Sequence, residues 1–151
     1  MERLEGENPM EKCTAVLKRC GLKMTASRLE IMQYLAKNHT HPTAAKIFAD
    51  LKRKSPSLSR TTVYNTLETL RQHGVLQVIY ITENEMRYDC NTGMHHHFYC
   101  KSCDQILDID VKCKFLDQML DGHHEVQEVH GYFKGVCNSC RTKRPRKGQK
   151  G

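Results

Sequence analysis

Apolar residues in the first half of the chain recur at helical spacing in short runs, each closed by a turn signal, and the spacing changes to that of a strand just after Gly74. A short first helix is predicted over 13–20. Thr25 is placed to cap a second helix, in which Leu29, Ile31, Met32 and Leu35 point inward and which ends near Asn38. Pro42 disfavours helix at His41, and Thr43 is a ready N-cap for a third helix over 44–54, with Ile47, Phe48 and Leu51 as its buried stripe. Pro56 ends that region. Ser59 caps a fourth helix, Val63, Leu67 and Leu70 bury one face of it, and Gly74 terminates it. The run over 75–81 then reads as a strand, Glu83-Asn84-Glu85 as a turn, and 86–90 as a returning strand. Helices followed by such a hairpin make a winged helix-turn-helix. No repeat or low-complexity segment interrupts the pattern.

In a winged helix the helix before the wing enters the major groove with its N-terminal residues, here Arg60, Thr61, Thr62, Tyr64 and Asn65. Arg60 can reach phosphate or guanine, Asn65 can offer a bidentate pair to adenine, and the threonines can meet phosphates or thymine methyl groups. The plainer alternative is an ordinary surface helix with a polar face. Charge adds to the DNA reading. Residues 1–80 hold 13 Lys/Arg against 7 Asp/Glu, 81–140 hold 5 against 10, and the last eleven residues carry six more cations, for a net charge of +7. A basic first half beside an acidic second half suits one domain that meets phosphate and another that holds cations.

The second half carries two Cys-x-x-Cys pairs, Cys100-Lys-Ser-Cys103 and Cys137-Asn-Ser-Cys140, downstream of His95-His96-His97. Four thiolates in two short knuckles suit tetrahedral zinc, because each two-residue turn lets two sulfurs converge on one ion. Disulfides are the competing use of the eight cysteines. The polar, acidic N-terminus has no apolar signal-like core, so a reducing, cytoplasmic setting and Zn2+ are expected. Cys13, Cys20, Cys90 and Cys113 lack such pairing and read as small hydrophobes. The interval between the pairs is long for a zinc ribbon. Val111, Phe115, Leu116, Met119 and Leu120 recur at helical spacing before Gly122, which predicts strand, helix, strand between the knuckles. The expected fold class is therefore α+β: a winged-helix domain over 1–84, a small α/β metal-binding domain over 85–140, and a basic, disordered tail over 141–151. No apolar stretch reaches membrane-spanning length, and no membrane partner is expected.

Several segments together resemble the ferric uptake regulator family over residues 22–140. They are Thr25-Ala26-Ser27-Arg28-Leu29, His41-Pro42-Thr43-Ala44, Ser59-Arg60-Thr61-Thr62-Val63-Tyr64-Asn65-Thr66-Leu67, Arg87-Tyr88-Asp89, His95-His96-His97-Phe98-Tyr99-Cys100, and both Cys pairs. The resemblance implies a homodimeric repressor whose C-terminal domain dimerises, with a structural zinc and a second, regulatory metal near the hinge. It places that regulatory site on His41, Asp89, His95, His97 and Asp108, a mixed N/O set suited to Fe2+ or Mn2+. His96 is expected on the opposite face of its strand from His95 and His97. As a dimer, the protein should favour an inverted-repeat operator in double-stranded DNA.

Asp89, Asp108 and Asn65 make the chain most similar to the peroxide-responsive branch of that family. That likeness implies sensing through Fe(II)-catalysed oxidation of a ligand histidine; an iron-level repressor using the same site is the alternative. A remote third reading is a zinc nucleobase deaminase, suggested by His123-His124-Glu125 followed by Cys137-x-x-Cys140. It would leave Cys100 and Cys103 without a role, and a four-thiolate zinc is closed to substrate. No enzymatic activity is expected.

Overall fold

The computed structural model describes residues 9–82, 85–93, 95–111 and 129–143. The helix expected between the two Cys pairs lies outside these residues beyond Val111, as do Met94, Cys113, His123-His124-Glu125 and the last eight positions. The chain divides into two compact units, Met1–Gly93 and Met94–Gly151.

The first unit holds α1 (Pro9–Arg19), α2 (Ala26–Lys37), α3 (Ala44–Lys52), α4 (Arg60–Gln72), β1 (Gln77–Ile79) and β2 (Arg87–Asp89). Each of the last three helices starts where a hydroxyl can accept an orphan backbone N–H. Thr25 takes that of Arg28, Thr43 that of Lys46 and Ser59 that of Thr62. Ile31, Ile47, Val63, Leu67 and Leu70 are wholly buried in the core between these helices. Each such side chain contributes roughly 1.5–3 kcal/mol by leaving water. The third helix stops at Lys52, short of the expected 54, because Lys54 and Ser55 both donate to the Leu51 carbonyl in a turn.

Gly74, at φ +65, closes α4: its N–H goes to Arg71 O and that of Val75 to Leu70 O. That use of Val75 trims β1 to Gln77–Ile79, inside the expected 75–81. β1 pairs antiparallel with β2 in the register Gln77↔Asp89, Val78↔Tyr88 and Ile79↔Arg87. β2 thus lies in the hairpin of the first unit, which ends at Gly93. A second tie fixes the loop before α3, where Tyr88 N–H donates to Pro42 O at 3.1 Å and Thr43 bridges Arg87. Among the described residues no helix is long and apolar enough to cross a membrane.

The second unit is built on β3 (His96–Cys100), flanked by β4 (Ile106–Ile109) and β5 (Tyr132–Gly135), with a short α5 (Asn138–Lys143) after them. β3 is central, antiparallel to β4 and parallel to β5. Arg141, Thr142 and Lys143, expected in the disordered tail, instead finish α5. Local bonding prevails over their polar composition: Arg141 N–H donates to Cys137 O, and the Thr142 hydroxyl to Asn138 O.

Candidate metal centres

The four paired cysteines converge. Cys100 ends β3 and Cys103 follows in a tight turn, closed by Asp104 N–H to Cys100 O and by Cys100 N–H to Gln105 O, both 2.9 Å. Asp104 sits at φ +56 to make that reversal, a left-handed conformation that aspartate tolerates better than most residues. Cys137 follows β5, and Cys140 lies one turn along in α5. One sulfur from each lies within 4.8 Å of the other three, with Cys103 Sγ 3.9 Å from Cys137 Sγ. Zinc–sulfur bonds of about 2.3 Å in a tetrahedron set the sulfurs about 3.8 Å apart, which the Cys103–Cys137 spacing matches. Among the described residues all the cysteines are thiols without a disulfide.

Backbone N–H groups already prepare this cluster for negative charge. Cys137 N–H donates to Cys100 Sγ at 3.2 Å, and this contact foremost pulls the Cys100 thiol down to about 6. At Cys103 the Gln105 N–H acts in the same direction, but the neighbouring sulfurs and burial outweigh it and push that thiol up to about 12. Four crowded sulfurs cannot all ionise without a cation among them.

The mixed donors fall into one set per unit. In the first, His41 Nε2 stands 3.7 Å from Asp89 Oδ2, with the two residues only 1% and 6% exposed. His41 has φ +50, although a side chain with a Cβ disfavours that region and Pro42 follows it. Strain of this kind persists where surroundings over-determine it, and it concentrates at functional sites. Asp89 is oriented by the Asn91 N–H on Oδ1 (2.8 Å) and by the Gln77 amide on Oδ2 (3.2 Å). Such outer support is what a carboxylate able to ligate a metal would use.

In the second unit, His95 Nε2 and His97 Nε2 lie 3.6 and 3.8 Å from Asp108 Oδ1. The two rings meet edge to face, with centroids 4.4 Å apart. The pairing His97↔Asp108 across β3 and β4 puts these donors on one face. His96 takes the other face, its ring against Gly131 and 6.2 Å from Phe133. The same register sets Tyr132 beside His97, rings 6.3 Å apart, a neighbour that sequence spacing does not reveal.

On α4, Arg60, Thr61, Tyr64 and Asn65 are exposed on one end of the helix. Thr62 is half-buried, its hydroxyl 2.8 Å from that of Ser59. Beneath this end lie Phe48 and Lys52 of α3; Phe48 is expected in the buried stripe of that helix and is in fact only partly buried.

Residues 19–133 match the profile of the Ferric uptake regulator family. The peroxide-responsive repressor PerR of Staphylococcus aureus (strain Mu50) is 31% identical over 144 residues, which cover 91% of this chain and 95% of the relative. The solved ferric uptake regulator Fur of Helicobacter pylori, described as having three functional metal-binding sites, superposes with a TM-score of 0.71 at 22% identity over 93% of this chain and 97% of that one. PerR from Streptococcus pyogenes, described in terms of peroxide sensing and gene regulation, superposes with a TM-score of 0.52 at 26% identity, covering 93% and 98%. With matched residues extending from the end of α1 to β5, and a relative 31% identical over most of its length, the chain belongs to the ferric uptake regulator family.

Proposed function

We propose that this protein is a homodimeric, metal-dependent transcriptional repressor that responds to peroxide. Zinc occupies the Cys100, Cys103, Cys137 and Cys140 cluster, and Fe2+ or Mn2+ is held by His41, Asp89, His95, His97 and Asp108. The observation that carries the sensing part is His41 itself: buried, strained at φ +50, and set against an oriented Asp89. A two-residue pair is too few ligands for a divalent ion, and the second set supplies three more. Imidazole and carboxylate suit Fe2+ or Mn2+ better than thiolates do.

Because the five donors come from two units, an ion ligated by all of them would favour one arrangement of the units over others. That arrangement presents α4, with Arg60, Thr61, Thr62, Tyr64 and Asn65, to the major groove of an inverted-repeat operator. Bound Fe2+ would supply the electron that turns peroxide into a strong oxidant beside the nearest imidazoles. An oxygen added to the ring of His41 or His95 weakens that donor and disperses the ligand set. Support for peroxide over iron level as the signal comes from the 31% identity to a peroxide-responsive repressor and from the paired aspartates Asp89 and Asp108.

The test is operator binding by the dimer under anaerobic conditions, loaded with Fe2+ or Mn2+, before and after a low dose of hydrogen peroxide. Mass spectrometry would follow the peptides that bear His41 and His95. Loss of binding for the Fe2+ form alone, with an added oxygen on either histidine, is expected. Binding that survives peroxide and follows free Fe2+ would make the protein an iron-level repressor instead.

A further inference from the structure

The first side chain of α4 rests on α3. Arg60 places Cζ 5.3 Å from the centroid of the Phe48 ring, within cation–π range. Phe48 is partly buried and packs against the core of the first unit, so its ring is a fixed platform. One turn along α3, Lys52 holds its ammonium 5.8 Å from the same centroid and donates to the carbonyls of Pro56 and Leu58. Leu58 is buried and directly precedes the Ser59 cap. Lys52 therefore latches the turn from α3 to α4, and Phe48 receives the residue that emerges from it.

Among the described residues Arg60 has no carboxylate partner. Arg60 is exposed even though its guanidinium lies over the ring, so the five N–H donors of the fork stay open to an anion. An arginine already confined in this way loses less rotamer freedom when it docks on an anion than an unsupported one does.

We propose that Phe48 is a positioning residue for DNA binding: its ring, with the turn latched by Lys52, holds the exposed Arg60 guanidinium in place for a phosphate or a guanine edge. This assignment rests on the reading of α4 as the helix that enters the major groove.

The experiment is a double-mutant cycle on the full chain loaded with Mn2+, using duplexes that the unaltered protein selects from a random library. Phe48→Leu should weaken binding about 3-fold and Phe48→Tyr should restore it, as loss and recovery of an exposed cation–π contact require. Arg60→Ala should weaken it about 10-fold. In the Arg60→Ala background, Phe48→Leu should have no further effect. Losses that multiply in the double variant, or a Phe48→Leu protein that binds as tightly as the parent, would overturn the assignment. Thermal unfolding of each variant guards against a folding defect, and Phe48→Met replaces Phe48→Leu in the cycle if the leucine variant does not fold. A parent protein that selects no duplex sinks the DNA-binding reading, and the assignment of Phe48 with it.

Discussion

Cys137 N–H donates to the sulfur of Cys100 at 3.2 Å although the residues are 37 positions apart, so the backbone of one knuckle is aimed at the thiolate of the other. If zinc sits in the proposed cluster, replacing Cys100 or Cys137 with serine leaves three sulfurs that cannot close a tetrahedron. Each variant should lose zinc and the fold of the second unit together. Cys20→Ser, outside the cluster, should retain one zinc per chain. Native mass spectrometry and circular dichroism check both, and zinc retained in the Cys100→Ser protein would refute the cluster as a zinc site.

Gly131 has room for no side chain. A Cβ there would stand 2.5 Å from Nδ1 of His96, while the Gly131 carbonyl accepts the His97 N–H at 3.0 Å. Gly131→Ala should destabilise the second unit by about 1–3 kcal/mol, as overpacking does. Adding His96→Ala should recover most of the loss. Urea denaturation of the zinc-loaded single and double variants distinguishes this clash from a general effect of the substitution.

Ser59 caps α4 by accepting the Thr62 N–H at 3.0 Å. Ser59→Ala should lower stability by about 1 kcal/mol, and Ser59→Asp should hold it near the parent value, since aspartate is an equally good cap. The urea midpoint at constant slope is the measurement. Equal losses for both variants would show that the hydroxyl of Thr62, not the cap, is the important partner.

Asp50 is tied to two donors, Lys46 at 2.8 Å and the Tyr34 hydroxyl at 2.6 Å, and these hold its carboxyl below the usual range. A carboxylate whose folded pKa is depressed stabilises the fold above its unfolded pKa, near 3.9, and loses that contribution as pH falls through the folded value. Tyr34→Phe should therefore cost about 1 kcal/mol at pH 7. The difference from the parent should shrink as pH falls below about 4. Denaturation at several pH values reads the trend, and a difference that grows on acidification would contradict it.

Features set by neighbours along the chain were legible in the sequence. Thr25, Thr43 and Ser59 act as caps because each needs only the N–H three residues on. The buried stripes of α2, α3 and α4 follow from helical period alone, and the two Cys pairs announce their own convergence. Strand ends were less legible, since β1 is only as long as its pairing with β2 and Val75 is diverted to Leu70. Pro42 signals that His41 leaves the helix but not that its φ is +50. The charge of Arg141 and Lys143 resembled a tail, whereas hydrogen bonds one turn back keep them helical. The cation–π contact of Arg60 with Phe48 depends on how α3 and α4 cross, which neither helix specifies by itself.

The parallel pairing of β3 with β5 would give zinc at the proposed cysteine cluster a kinetic part as well as a structural one. Parallel neighbours cannot be joined by a tight turn, so Cys100 and Gly135 must find each other across a long stretch of chain, a search that is slow for entropic reasons. β3 and β4 can pair early as a local hairpin, which leaves the first two sulfurs assembled and waiting. Capture of the second pair by an ion held there would draw β5 into register, so the rate at which the second unit matures should depend on the supply of zinc during synthesis.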